Sequence, residues 1–333
     1  MKILITGGAG FVGTRLARAL LARGHLNQRS LTQLVLADQF APPADLVAQP
    51  GVQARVGRLL DQCAALRDEP FDGVFHLASA VSGECEADFD LGLRSNLDST
   101  RALLDALRHA GNAPRLVFSS SVAVFGPDPS RPLPPIVADE TLPTPQTSYG
   151  THKLVCEYLI ADYTRKGYID GRAARLMTVT VRPGRPNGAA SSFFSGIIRE
   201  PLAGEDAILP VSPEVSHPVS SPRRTVEGLI AVFEASREQL GGRMALNLPA
   251  LNVRVHEMLA ALERVAGPAV RARVREVPDA TIQRIVGGWA SGASAERAAR
   301  LGLLPEARFE DIIRAYIADN EAHPTALKGL NAS

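Results

Sequence analysis

Three glycines set the first constraint on this chain. Residues 2–6, Lys-Ile-Leu-Ile-Thr, form a short apolar run rich in β-branched side chains, and residues 11–23 carry an apolar helical period that stops at Gly24. The turn between them reads Gly7-Gly8-Ala9-Gly10-Phe11-Val12-Gly13. A strand that enters a helix through such a turn leaves the helix's first N–H groups, here around Phe11 and Val12, free to meet an anion. Gly7 permits the tight turn, Gly10 lets the backbone approach a pyrophosphate, and Gly13 allows close helix packing. The spacing is G-x-x-G-x-x-G where the commoner fingerprint is G-x-G-x-x-G, and glycines also mark plain turns. Position directly after a first strand favours dinucleotide binding.

The rest of the first half fits a doubly wound sheet. Leu34-Val35-Leu36-Ala37 ends in Asp38, whose carboxylate at a second strand's end would accept hydrogen bonds from ribose hydroxyls and repel a 2′-phosphate, favouring NAD over NADP. Further strands are expected at 52–56, at 73–77 and at 115–118. The second of these leads past Leu77 into Ala78 and Ser79, and the third runs into Ser119-Ser120-Ser121. Nearly continuous apolar strands separated by helices predict an α/β fold, a doubly wound parallel-sheet Rossmann domain with a smaller mixed substrate domain. His76, inside a strand, reads as a core histidine. A helix is expected over 87–110. The segment 127–145, with seven prolines, reads as a surface loop leading to Ser148 as an N-cap.

Tyr149 and Lys153 then lie one helical turn apart on one face. A sixth strand is expected at 175–181, followed from Arg182 by a Pro/Gly/Ser-rich loop, a helix over 226–236 and a strand over 244–248. These place a cofactor domain in 1–182 plus about 223–249, and a substrate domain in about 183–222 plus 250–333. At 333 residues the chain exceeds what one core usually supports. A net charge of +1 gives no reason to expect nucleic acid or an anionic membrane as partner. No apolar run is long enough to span a bilayer, so a cytoplasmic location is the default expectation. Cys63, Cys85 and Cys156 stand far apart, which suggests neither disulfides nor a metal site.

Gly7, Gly10, Gly13, Asp38, Asn96, Ser121 and the Tyr149-x-x-x-Lys153 pair, in this order, resemble the extended short-chain dehydrogenase/reductase superfamily of NAD-dependent epimerase/dehydratase type. The resemblance covers essentially the whole chain. Three local runs, 81–90, 145–151 and 182–202, are similar to members that act on short sugar acids. It implies a cofactor site that includes Asn96 and Pro183, a homodimer paired through the helices at 87–110 and 149–166, and a contact from Lys153 to the nicotinamide ribose. Two departures stand out: Arg58 follows Gly57 where relatives often carry an adenine-contacting acid, and Phe125 replaces a frequent tyrosine.

The chemistry expected of such a site is alcohol oxidation. A phenol with its ordinary pKa near 10 is a poor base at neutral pH. Tyr149 is expected to serve as general acid/base with Lys153 lowering its pKa, while Ser121 orients the substrate hydroxyl and stabilises developing charge on it. A hydroxy-acid substrate would also need a cation, for which Arg199 and Arg223 are candidates, and hydroxyl contacts, for which Ser82, Asn187 and Ser192 are. The leading expectation is an NAD-dependent dehydrogenase forming a 2-oxo acid from a small sugar acid. A nucleotide-sugar epimerase is the runner-up, and a cofactor-sensing binding protein is the reading from another class. A 4,6-dehydratase fits less well, because Val122-Ala123-Val124 lacks the acidic pair such eliminations use.

Overall fold

The structure, a computed structural model, describes residues 1–184 and 189–330. Its centre is a seven-stranded sheet made of β1 (Lys2–Thr6), β2 (Gln33–Asp38), β3 (Val52–Val56), β4 (Gly73–His76), β5 (Arg115–Ser121), β6 (Asp170–Leu176) and β7 (Leu246–Asn247). The spatial order is β7-β6-β5-β4-β1-β2-β3, with every neighbouring pair parallel. Strand order reverses between β1 and β4, and a crevice opens beyond the carboxyl ends at such a switch point.

Helices cover both faces, which is why the strands read as unbroken apolar runs. On one face α1 (Phe11–Arg23) and α6 (Pro222–Glu234) pack Leu16, Leu20 and Phe233 against Ile3, Ile5 and Phe75. On the other, α2 (Leu59–Leu66), α3 (Ser99–Ala110) and α4 (Ser148–Arg165) pack Leu66, Leu103, Leu107 and Ile160 against Leu4, Val74 and Phe118. Ile3, Leu4 and Ile5 alternate between the two cores, as the pleat requires. A further core joins α5 (Phe193–Leu202), α7 (Val255–Ala266) and α8 (Phe309–Asp319) through Phe194, Ile197, Leu259, Leu262 and Ile313. Beside it, Thr178–Val179, Ser216–Ser220 and Leu251–Arg254 form a three-stranded sheet.

Four local expectations change. The sixth strand begins at Asp170, five residues early, because Arg172 is buried with both terminal nitrogens engaged: its Nη1 donates to the Val232 carbonyl at 2.8 Å and its Nη2 to Asp170 at 2.7 Å. After Leu176 the chain leaves the main sheet, and Thr178–Val179 pairs with Ser216–Ser220, so 175–181 is divided between two sheets. The helix expected over 87–110 is broken. Ser82–Ala87 is a separate helix, Asp88 caps Phe89–Gly92, and Leu93–Asp98 winds as a π-helix before α3. Finally, Thr147 caps α4 in place of Ser148, its hydroxyl accepting from the Gly150 N–H at 3.0 Å.

Candidate active site

The glycine turn sits at the mouth of α1. Gly7 adopts φ +73°, and a Cβ there would lie 2.8 Å from the Ala78 nitrogen. A Cβ on Gly13 would stand 2.0 Å from the Gly7 carbonyl oxygen, so the helix lies directly on the turn. Gly10 is the N-cap, with no side chain to satisfy the first-turn N–H groups. At the end of β2, Asp38 accepts from the Ala9 N–H and from the Phe40 N–H, both at 3.0 Å, which fixes its carboxylate at the rim of the same cleft. A bare helix N-terminus, a turn too close for side chains and a fixed carboxylate beyond it suit a dinucleotide's phosphates and ribose. Gly7, Gly10, Phe11, Val12, Gly13, Asp38, Leu77, Ala78, Ser79, Lys153 and Pro183 all line this cleft.

Asn96 does not. It is buried, and its amide braces the loop after β4: Oδ1 accepts from the Ala80 N–H at 2.7 Å and from Ser79 Oγ at 3.1 Å, while Nδ2 donates to the Ala80 carbonyl at 3.2 Å. The expectation of direct cofactor contact is therefore corrected to that of a brace for Ser79, which does line the cleft. His76 is a core residue, bonded to Thr6 Oγ1 at 2.7 Å and Thr100 Oγ1 at 2.8 Å. Burial pushes its pKa down to about 3.

Successive turns of α4 present Tyr149, Lys153 and Glu157. Tyr149 lines the cleft beside Ser121, close enough for the Ser121 hydroxyl to bear on the phenol, and Ser121 Oγ accepts from the Ala123 N–H at 3.1 Å. Enclosure pushes the phenol up to about 12, against which the Ser121 hydrogen bond and the Arg182 charge pull it down. Lys153 stands behind the phenol ring. Its Nζ lies 5.4 Å from the Tyr149 ring centroid and donates to the Ser119 carbonyl at 2.8 Å, and burial lowers its pKa to about 8. Glu157 anchors the helix beneath them. Its Oε1 accepts from Ser120 Oγ at 2.5 Å and Arg175 Nε at 2.9 Å, and its Oε2 from Arg175 Nη2 at 2.8 Å. Ser120 and Ser121 point to opposite sides of β5, so one clamps α4 while the other faces the reacting position.

Beyond Tyr149 the cleft continues into a cavity, and the two together enclose about 2170 Å³. Ser82, Ser192 and Arg199 line it as expected, and Asn187 lies outside the described residues. Arg223 does not line it. Its side chain is two-thirds exposed and faces Glu227 at 3.6 Å on the outside of α6. Arg199 is buried and already engaged, with Nη2 2.5 Å from Glu200 Oε1 and Nη1 2.8 Å from the Arg182 carbonyl. Arg182 itself was missing from the sequence reading. The available signal was its place at the carboxyl end of Thr178-Val179-Thr180-Val181, where ligands bind in open α/β folds. His217 is a second omission. It lines the cavity with Nε2 2.7 Å from Thr178 Oγ1 and its ring stacked on Phe194, the centroids 4.8 Å apart.

Residues 3–227 match the NAD dependent epimerase/dehydratase family. The chain is 49% identical over 326 residues to the D-erythronate dehydrogenase of Cupriavidus necator, covering 96% of this chain and 98% of that one. It is 40% identical over 318 residues to the D-erythronate dehydrogenase of Haemophilus influenzae, covering 95% and 99%. Its fold superposes with a TM-score of 0.91 on a solved structure described as the nucleoside-diphosphate-sugar epimerase from Agrobacterium tumefaciens, at 44% identity over 98% of this chain and 96% of that one. With the parallel sheet, the glycine turn at its switch point and near full-length likeness to these relatives, the chain belongs to the NAD-dependent epimerase/dehydratase family.

Proposed function

We propose that this protein is an NAD-dependent dehydrogenase that oxidises the 2-hydroxyl of D-erythronate, or of a similar short sugar acid, to the 2-oxo acid. The observation that carries the reading is that Tyr149 and Ser121 line one continuous cleft between the glycine turn and a cavity that Arg182 and Arg199 line. The two D-erythronate dehydrogenases matched over nearly the whole chain support the substrate class. NAD is preferred over NADP because the fixed Asp38 carboxylate would repel a 2′-phosphate.

The glycine turn and Asp38 would hold NAD⁺, which would supply the hydride acceptor for C2. The chain's own residues handle the proton and the geometry. Ser121 holds the substrate hydroxyl, and Tyr149 takes its proton as the carbonyl forms. Lys153, held by the Ser119 carbonyl, presents a buried ammonium behind the phenol and would hold the cofactor ribose. The substrate side is built from about residues 183–222 plus 250–333. The active unit is a cytoplasmic homodimer paired through the exposed Phe89, Val155 and Tyr158. Light scattering at micromolar concentration that returns a monomer mass removes the dimer from this proposal.

The test of the activity is NADH formation from NAD and a panel of short aldonates. Tyr149→Phe should lose turnover by on the order of 10³-fold while NADH binding stays unchanged, in keeping with loss of a general acid/base. Near wild-type turnover in that variant removes Tyr149 from the reaction. An epimerase remains the second reading because of the Agrobacterium tumefaciens structure's description. Interconversion of nucleotide sugars without net NADH would establish it, and cofactor binding with neither reaction would indicate a sensor.

A further inference from the structure

The cation that a hydroxy-acid substrate needs can be chosen by geometry. The carbon bearing a 2-hydroxyl is bonded directly to the carboxylate carbon, so the group that holds the carboxylate must stand next to the group that deprotonates the hydroxyl. Arg223 fails this requirement, being exposed and outside the cavity. Arg199 lines the cavity, but its charge is matched by Glu200 and one of its nitrogens is spent on the Arg182 carbonyl. A substrate carboxylate there would meet the Glu200 carboxylate as well.

Arg182 differs on each count. Its backbone is fixed at both ends, the N–H donating to Ser195 Oγ at 3.0 Å and the carbonyl accepting from Arg199. Its side chain lines the cavity, and among the described residues its guanidinium has neither an ion-pair partner nor a hydrogen-bond acceptor. It lies close enough to Tyr149 for each charge to bear on the other. A largely enclosed guanidinium without a counter-ion costs solvation that a bound carboxylate returns, and its planar fork matches a carboxylate with two parallel bonds.

We infer that Arg182 is the substrate's carboxylate anchor, holding the acid so that its 2-hydroxyl falls between Tyr149 and Ser121, with Arg199 and Glu200 positioning Arg182 through its carbonyl. This rests on the 2-hydroxy-acid reading above. Under it, the site prefers an α-hydroxy acid over the corresponding amide or polyol, because neither of those presents an anion to Arg182.

The experiment compares wild type, Arg182→Met, Arg182→Lys and the exterior control Arg223→Ala. It reads kcat and KM for D-erythronate, NADH affinity by fluorescence, and calorimetric binding of D-erythronate and its amide to the NADH complex. Arg182→Met should raise KM, and weaken erythronate binding, by on the order of 100-fold, the effect expected for a lost charge-assisted fork. NADH affinity should stay unchanged, amide binding should be weak in every variant, and Arg182→Lys should recover part of the loss. Arg223→Ala should match wild type. If Arg182→Met binds NADH normally and its KM and erythronate affinity stay within threefold of wild type, the anchor is elsewhere. If wild type does not oxidise D-erythronate but binds a short carboxylate in an Arg182-dependent way, the activity reading falls and the anchor stands. If wild type binds no short carboxylate, both fall.

Discussion

Alanine at Gly10 and alanine at Gly13 should separate two jobs that one turn combines. At Gly13 the added Cβ meets backbone on every side: the Gly7 oxygen at 2.0 Å, the Gly7 carbonyl carbon at 2.9 Å and the Gly8 Cα at 3.0 Å. No rotamer can yield there, so α1 must move off the turn by about 1 Å to restore ordinary contact. Overpacking of that kind costs about 1–3 kcal/mol, and alanine's better helix propensity returns about 0.5–1 kcal/mol of it. At Gly10 the new methyl meets the Gly7 oxygen at 3.2 Å and no other atom that bars it, while Gly10 lines the cleft. Gly10→Ala should therefore unfold in urea at nearly the wild-type midpoint yet bind NADH on the order of 100-fold more weakly, as two charge-assisted phosphate contacts are lost at about 1.5 kcal/mol each. Gly13→Ala should lose both stability and affinity. NADH fluorescence titration and urea unfolding read the two effects separately. NADH binding within threefold of wild type in Gly10→Ala would refute the proposed phosphate path. An unchanged midpoint in Gly13→Ala would refute the packing argument.

Two further outcomes are expected. Glu157→Gln leaves the Arg175 guanidinium buried without its bidentate partner, so unfolding free energy should drop by about 3–5 kcal/mol; a drop below 1 kcal/mol would mean that Ser120 and the helix hold α4 without the pair. His76 has a folded pKa of about 3 against an unfolded value near 6.5, so the unfolded chain binds more protons between these values and stability falls as pH drops through that window. From pH 6.5 to 5 this residue should cost about 2 kcal/mol, a loss that His76→Gln should remove from the urea-derived profile. Buried His217, lowered to about 4, keeps a similar slope in that variant.

The cofactor half was legible because its signals are local. A glycine turn, an acid at a strand end and a Tyr/Lys pair one turn apart are each visible within a few residues, and Tyr149 and Ser121 line the same cleft. Three things were not legible, each for a long-range reason. Asp170-Gly171-Arg172 does not look like buried strand until Val232, Phe233 and Arg237 arrive from distant sequence to use its polar groups. The π-helix at Leu93–Asp98 carries an ordinary helical sequence, and the bond from the Ala80 N–H to its Asn96 exists only once the loop after β4 is folded against it. Arg182 reads as one arginine among many. Its proposed role comes from having no ion-pair partner among the described residues, where Arg199 and Arg223 have theirs.

The frame beneath Tyr149 also divides the chain in a practical way. Ser119, Ser120, Glu157 and Arg175, which tie α4 to the sheet, all precede residue 177, whereas Arg182, Ser192, Arg199 and His217 follow it. A graft that exchanges the later segments with those of a relative would thus keep the proposed proton-transfer residues, together with Ser82, and change most of the cavity that faces them. Laboratory recombination at the Met177 crossover is accordingly the natural route to new substrates on this scaffold.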